Sequence, residues 1–187
     1  LVQTIDPLGG TTQTVYDSNG NRVATIDPLG NQTSYVYDEQ GRLISTTDAL
    51  GNTTSNQYDE DGNLVATTDA LGRTTTTEYD EWGRRTASTD TAGRRTTYTY
   101  DALDRVIATT GPSGTTTTTY NALGNIIART DEHERVSNTI YDVLGRVVST
   151  TDFSGNTITN EYDDAGNLIS TTSPQGTVTY TYDALNR

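Results

Sequence analysis

Carboxylates are the groups in this chain with the most chemical potential, and they recur at fixed spacing. Asp17, Asp38, Asp59, Asp80, Asp142 and Asp163 each stand three residues ahead of a glycine: Gly20, Gly41, Gly62, Gly83, Gly145 and Gly166. A second series follows half a unit on, as Asp27–Gly30, Asp48–Gly51, Asp69–Gly72 and Asp152–Gly155. Paired carboxylates can act as general acid and base, or share a cation. Calcium, however, needs six or more oxygens converging on one point. An aspartate that opens a turn instead accepts hydrogen bonds from backbone N–H groups two or three residues on. The spacing therefore reads as turn capping. The calcium-binding nonapeptide pattern with glycine pairs is absent.

The other reactive types are isolated. His133, flanked by Glu132 and Glu134, is the sole imidazole, and one histidine builds neither a metal site nor a catalytic pair. It reads as the tip of a drifted, solvated turn. Serines are plentiful, but a nucleophile needs a positioned base. The expectation is no enzyme, with no catalytic residue, metal or cofactor. Trp82 admits two readings, an exposed contact for a partner or a ring folded over a neighbouring turn. Asn31-Gln32-Thr33 and Asn52-Thr53-Thr54 fit the glycosylation acceptor pattern, as chance allows in so Thr- and Asn-rich a chain.

The elements that hold these turns repeat. A tyrosine precedes each first-series aspartate, and Tyr16, Tyr37, Tyr58, Tyr79, Tyr100, Tyr120, Tyr141, Tyr162 and Tyr182 recur every 20 or 21 residues. Asn121 replaces the aspartate once. Such a period marks supersecondary units too small to bury an apolar face alone. Turns every 10 or 11 residues suit an antiparallel meander, whereas frequent Gly and Thr with no 3.6-residue stripe exclude helices. Two strand types alternate, Arg42–Thr47 and Thr96–Tyr100 among them, and Val178–Tyr182 is a further strand of the second type. Strict alternation puts Leu43 and Ile44 on opposite faces. The small residues Ala24, Ser45, Ala66, Ala87, Ala108, Ala128, Ser149 and Ser170 leave room for a tyrosine from the next strand.

The fold class expected is all-β: about seventeen strands, arranged as tandem antiparallel hairpins in one continuous coiled ribbon, a β-solenoid or a segment of a hollow shell. Residues 1–187 form a single array of about nine repeats, cut mid-unit at both ends. The tyrosines serve as repeat anchors and the Asp/Gly pairs as turn residues. Replacing Tyr100 by alanine would cost about 3–5 kcal/mol if its ring were fully buried.

Composition narrows the partners. The net charge of -13 disfavours nucleic acid and anionic membrane. No apolar window is long enough to span a bilayer as a helix. A hydrophobic fraction of 31% would favour disorder, but the strict period and the β-branched content outweigh it. With no cysteine there are no disulfides, which is compatible with an exported protein.

The Tyr-Asp anchor with its Gly-Arg-Leu continuation, as in Tyr37-Asp38-Glu39-Gln40-Gly41-Arg42-Leu43, resembles the RHS/YD repeat family. Tyr141-Asp142-Val143-Leu144-Gly145-Arg146-Val147 is nearly as close, and the resemblance runs through the chain. The family includes bacterial rearrangement-hotspot proteins, wall-associated polymorphic toxins, insecticidal toxin-complex components and animal teneurins. The resemblance implies a spiralling β-ribbon, non-enzymatic and structural, in a secreted or cell-surface protein. In the toxins such a shell encloses a C-terminal effector. The chain contains neither the self-cleaving core region of those toxins nor a toxin domain, so encapsulation is expected of a parent protein. Partners implied are neighbouring repeats of the same or like chains, an enclosed effector, or glycans. An extracellular fibre and a carbohydrate-binding or adhesion module are the rival readings.

Overall fold

The computed structural model describes all of residues 1–187. The chain is all-β, with eighteen antiparallel strands and no helix. It divides into two units, Leu1–Arg95 and Thr96–Arg187.

Unit 1 is a meander of β1 (Val2–Ile5), β2 (Thr11–Tyr16), β3 (Arg22–Ile26), β4 (Gln32–Tyr37), β5 (Leu43–Thr47), β6 (Thr53–Tyr58), β7 (Leu64–Thr68), β8 (Thr74–Tyr79) and β9 (Arg85–Thr89). Each strand pairs with the next in chain order. Unit 2 repeats the plan with β10 (Arg95–Tyr100), whose first residue lies in unit 1, then β11 (Val106–Gly111), β12 (Gly114–Tyr120), β13 (Ile126–Thr130), β14 (Val136–Tyr141), β15 (Val147–Thr151), β16 (Thr157–Tyr162), β17 (Leu168–Ser173) and β18 (Gly176–Thr179). The last strand stops at Thr179, short of the expected Tyr182. Its register with β17 ends at Ser170↔Thr179, and only the Tyr180 N–H, donated to the Ile169 carbonyl, extends it.

Nearly every turn is built alike. In Asp38–Arg42 the Gly41 N–H donates to the Asp38 carbonyl at 3.0 Å, and the Asp38 N–H to the Arg42 carbonyl at 3.0 Å. Gly41 has φ of 78°, the left-handed conformation that returns the chain to the next strand. Asp104 and Glu134 occupy this position with φ of 60° and 63°. A side chain there costs about 1–2 kcal/mol. Glu134→Gly is therefore expected to stabilise the protein by about 1 kcal/mol, read as a higher urea midpoint. An unchanged or lower midpoint would show that the glutamate side chain offsets the strain.

Each tyrosine that ends a strand faces a bulge. Val36 pairs with Ser45 and Tyr37 with Leu43, so Ile44 is the extra residue. The same step makes Val23, Val65, Thr86, Ile107, Ile127, Val148 and Ile169 the extra residues of their strands. All are β-branched, a type suited to an extended backbone. The strict alternation expected of Leu43 and Ile44 does not run through a bulge. Burial accordingly fails to alternate, and all of Leu43–Thr47 is half-buried.

There is no conventional core. Ala24 and Ala87 are the buried apolar residues, and no large side chain is fully covered. Tyr100 is half-buried, so the loss expected for a wholly enclosed ring does not apply. Cohesion comes from cross-strand pairs. Thr47–Thr53, Thr68–Thr74 and Thr151–Thr157 bond hydroxyl to hydroxyl at 2.8–3.0 Å beside their turns.

Candidate functional site: the tyrosine–aspartate turn edge

Tyrosine and aspartate, adjacent in sequence, work in opposite directions along the chain. The Tyr37 hydroxyl reaches back fifteen residues and donates to the Arg22 carbonyl at 3.0 Å, beyond the last β3–β4 pair, Ala24↔Ser34. Tyr58 donates to Leu43, Tyr79 to Leu64, Tyr120 to Val106, Tyr141 to Ile126, Tyr162 to Val147 and Tyr182 to Leu168, all at 2.9–3.2 Å. The rings of Tyr37, Tyr58, Tyr79, Tyr120, Tyr141 and Tyr162 are half-buried, while those of Tyr16 and Tyr182 are exposed.

Aspartate looks forward. One oxygen of Asp38 accepts from the backbone N–H groups of Gln40 at 3.0 Å and Arg42 at 2.8 Å, and the other from Arg42 Nε at 2.7 Å. Asp80 and Asp142 are bound the same way by Arg84 and Arg146. In Asp17, Asp59 and Asp163 the side-chain amides of Asn21, Asn63 and Asn167 take the guanidinium's place. The residue after the turn glycine is thus a partner of the aspartate, which the turn reading overlooked. Its signal was in plain view, since Asn or Arg follows Gly20, Gly41, Gly62, Gly83, Gly145 and Gly166 alike.

The arginine also ties one repeat to the next. Arg42 donates to the Asp59 carbonyl at 3.0 Å and lies 4.8 Å over the Tyr58 ring. Arg105 covers Tyr120 at 4.3 Å and Arg146 covers Tyr162 at 4.5 Å. Such stacking adds about 0.5–1 kcal/mol at exposed sites.

These bonds hold the turn carboxylates below the ordinary aspartate value. For Asp17 and Asp163 the neighbouring asparagine amide contributes most, then a backbone N–H. At Asp59 the amide of Asn63 also leads, against partial burial, which raises the value. The Arg146 N–H leads at Asp142, again opposed by burial and aided by the guanidinium. At Asp38 and Asp80 partial burial is the largest influence and pushes upward, but the arginine N–H and guanidinium together outweigh it. Groups whose folded value is lowered contribute stability that is complete above the unfolded value and is lost as pH falls through the folded one. Stability is therefore expected to be level from pH 7 to about 5 and to fall below about 4. Urea midpoints across that range check this; a maximum at the pI of 4.2 would contradict it.

A carboxylate held ionised at neutral pH has no proton to give, and one with a lowered value that already accepts three hydrogen bonds is a weak base. No group of three or more His, Cys, Asp or Glu side chains is placed to hold a metal ion. His133 is exposed with Nδ1 3.8 Å from Glu132 Oε1, and its N–H donates to Asp131. Trp82 is exposed, with the Arg84 guanidinium of its own turn 4.8 Å from the ring. No helix is long and apolar enough to cross a membrane.

The RHS Repeat family model matches residues 16–53, 58–95, 85–116, 120–157 and 162–187. The chain belongs to the RHS repeat family. The tyrosine–aspartate edge is thus the recurring edge of a run of RHS repeats. No curated protein matches the chain significantly. Among solved structures, the RHS repeats are similar to the TcdB2-TccC3-TEV crystal structure at 16% identity, with a TM-score of 0.52 over 95% of this chain. TcdB2-TccC3-Cdc42 and the Photorhabdus luminescens Tc holotoxin pore carrying TccC3-D651A follow at 16% identity, 95% of this chain and TM-scores of 0.46. At that identity the likeness concerns the fold alone. The chain spans 15% of the length of each of these structures.

Proposed function

We propose that these RHS repeats are a non-enzymatic wall segment of a secreted or cell-surface protein, and that residues 1–187 act as one array of about nine repeats. In this reading Tyr16, Tyr37, Tyr58, Tyr79, Tyr100, Tyr120, Tyr141, Tyr162 and Tyr182 are the anchors, and the first-series Asp/Gly pairs are the turn residues. The observation that carries the reading is where the bonding capacity goes. The Arg42 guanidinium serves its own turn and the next repeat, Asp38 accepts three hydrogen bonds from its own turn, and the Tyr58 hydroxyl serves the strand behind it. Side chains committed to their neighbours build a surface and leave little for a substrate. In the parent protein the wall encloses a C-terminal effector.

The test is negative-stain imaging of the longer parent chain with a protease-protection assay on its C-terminal region. Hollow particles with a protected C-terminal segment are expected. Uniform threads would assign the repeats to a fibre, and an open particle with a protease-accessible C-terminus would remove the enclosure.

A further inference from the structure

Asn19 is the one asparagine in the chain that precedes a glycine. It stands at the tip of the β2–β3 turn, and both Asn19 and Gly20 are exposed. An asparagine amide carbon is open to attack by the backbone nitrogen of the following residue, and glycine there puts no side chain in the way. A Cβ built on Gly20 would meet nothing within 4 Å, so there is room beside it for a new ring. The turn also leaves the Asn19 side chain unheld. Asp17 Oδ1 accepts the backbone N–H groups of Asn19 and Asn21, and Asp17 Oδ2 takes the Asn21 side-chain amide, at 2.8–3.0 Å. No hydrogen bond restrains the Asn19 amide. The Gly20 N–H, which must be released, donates to the Asp17 carbonyl at 3.3 Å, against 3.0 Å for Gly41 in the matching turn.

The repeats supply their own comparison. Gln40-Gly41 and Asp61-Gly62 hold the same place in the β4–β5 and β6–β7 turns and are equally exposed. Their glycines have φ of 78° and 90°, against 87° at Gly20. Backbone and exposure are thus shared, and only the side chain differs. Gln40 would have to close a larger, six-membered ring. Asp61 presents a carboxylate, whose charge resists attack, in place of a neutral amide. Elsewhere the amide nitrogens of Asn31, Asn52, Asn63, Asn156 and Asn167 are held by turn aspartates, and each of these residues is followed by one that carries a side chain.

We propose that Asn19 is a self-modification site, which the chain converts to aspartate and isoaspartate through a succinimide with Gly20. The tip opens, as exposed turns do, and frees the Gly20 nitrogen. That nitrogen gives its proton to solvent and bonds to Asn19 Cγ. The Cγ–Nδ2 bond breaks, and Nδ2 takes up a proton and leaves as ammonia. Water then opens the five-membered ring. Attack at Cγ restores the ordinary main chain with aspartate at the position. Attack at the Asn19 backbone carbonyl instead routes the main chain through Cβ, giving isoaspartate. Either product puts a new carboxylate at the tip, and isoaspartate also lengthens the link between β2 and β3 by one backbone atom. The mark accumulates with the age of the protein. It stands independently of whether the parent wall encloses cargo.

Incubation of the intact folded chain at mildly alkaline pH, followed by brief trypsin digestion and tandem mass spectrometry, tests this. Circular dichroism follows the fold throughout. The Leu1–Arg22 fragment is expected to separate into isoaspartate and aspartate forms at Asn19. Conversion there is expected to be at least ~10-fold faster than at Gln40, Asp61 or any other asparagine. A protein isoaspartyl methyltransferase labels the same fragment. Asn19→Gln abolishes that label and leaves the circular dichroism spectrum unchanged, since the residue is exposed and its side chain holds nothing. Retention of Asn19 by the folded chain overturns the proposal, whether or not urea releases the reaction. Conversion to aspartate without isoaspartate overturns the succinimide route, and an equal rate at another asparagine overturns the choice of site.

Discussion

Replacing Gly114 by alanine is expected to cost about 3 kcal/mol. Gly114 closes the two-residue Pro112-Ser113 loop with φ of 139°, which side chains rarely adopt. A Cβ there would also lie 3.0 Å from the Glu132 carbonyl oxygen and 3.1 Å from the Glu132 Cβ. Strain and collision add. Gly176 provides the control, since it closes the matching Pro174-Gln175 loop with φ of 132° and nothing within 4 Å of an added Cβ. Gly176→Ala should therefore cost only about 1–2 kcal/mol, the backbone share. Thermal unfolding should separate the variants by several degrees, with hydrogen exchange rising in Thr115–Thr119 for Gly114→Ala alone. Equal losses would mean that contact with the Asp131–Arg135 turn contributes nothing.

For Tyr58→Ala the expected loss is about 2–3 kcal/mol, from half of a ring's burial, its stack with Arg42 and one hydrogen bond. Tyr58→Phe should lose only about 0.5–1 kcal/mol. The Leu43 carbonyl that Tyr58 serves also accepts the Asn56 amide at 3.0 Å, so the phenylalanine variant leaves no orphaned acceptor. Equilibrium unfolding in urea measures both. A phenylalanine variant as unstable as the alanine one would place the whole contribution in the hydroxyl. An alanine variant as stable as wild type would remove Tyr58 from the anchors.

The outcomes at single residues divide along physical lines. That the chain is β throughout was legible because turn chemistry is local: Asp48-Ala49-Leu50-Gly51 carries its own cap and its own left-handed residue. The β-branched residues between such turns favour a pleated strand. The departures arose where a contact joins successive turns of one edge or a register slips. Sequence marks Leu43 and Ile44 as neighbours in a strand, but the bulge opposite Tyr37 is a property of two strands at once. In the sequence Arg42 is only the first residue of an expected strand, and its contacts with the Tyr58 ring and the Asp59 carbonyl appear once the following repeat is set beside it.

Burial was the least legible quantity. The repeated tyrosines invite a core, yet a meander without a covering layer shelters each ring only partly. What the linear code settles here is strand, turn and period, because each is decided within five or ten residues of chain. How far each ring is covered and which carbonyl receives its hydroxyl depend on strands brought side by side. Those features became visible only when the repeats were laid next to one another in three dimensions.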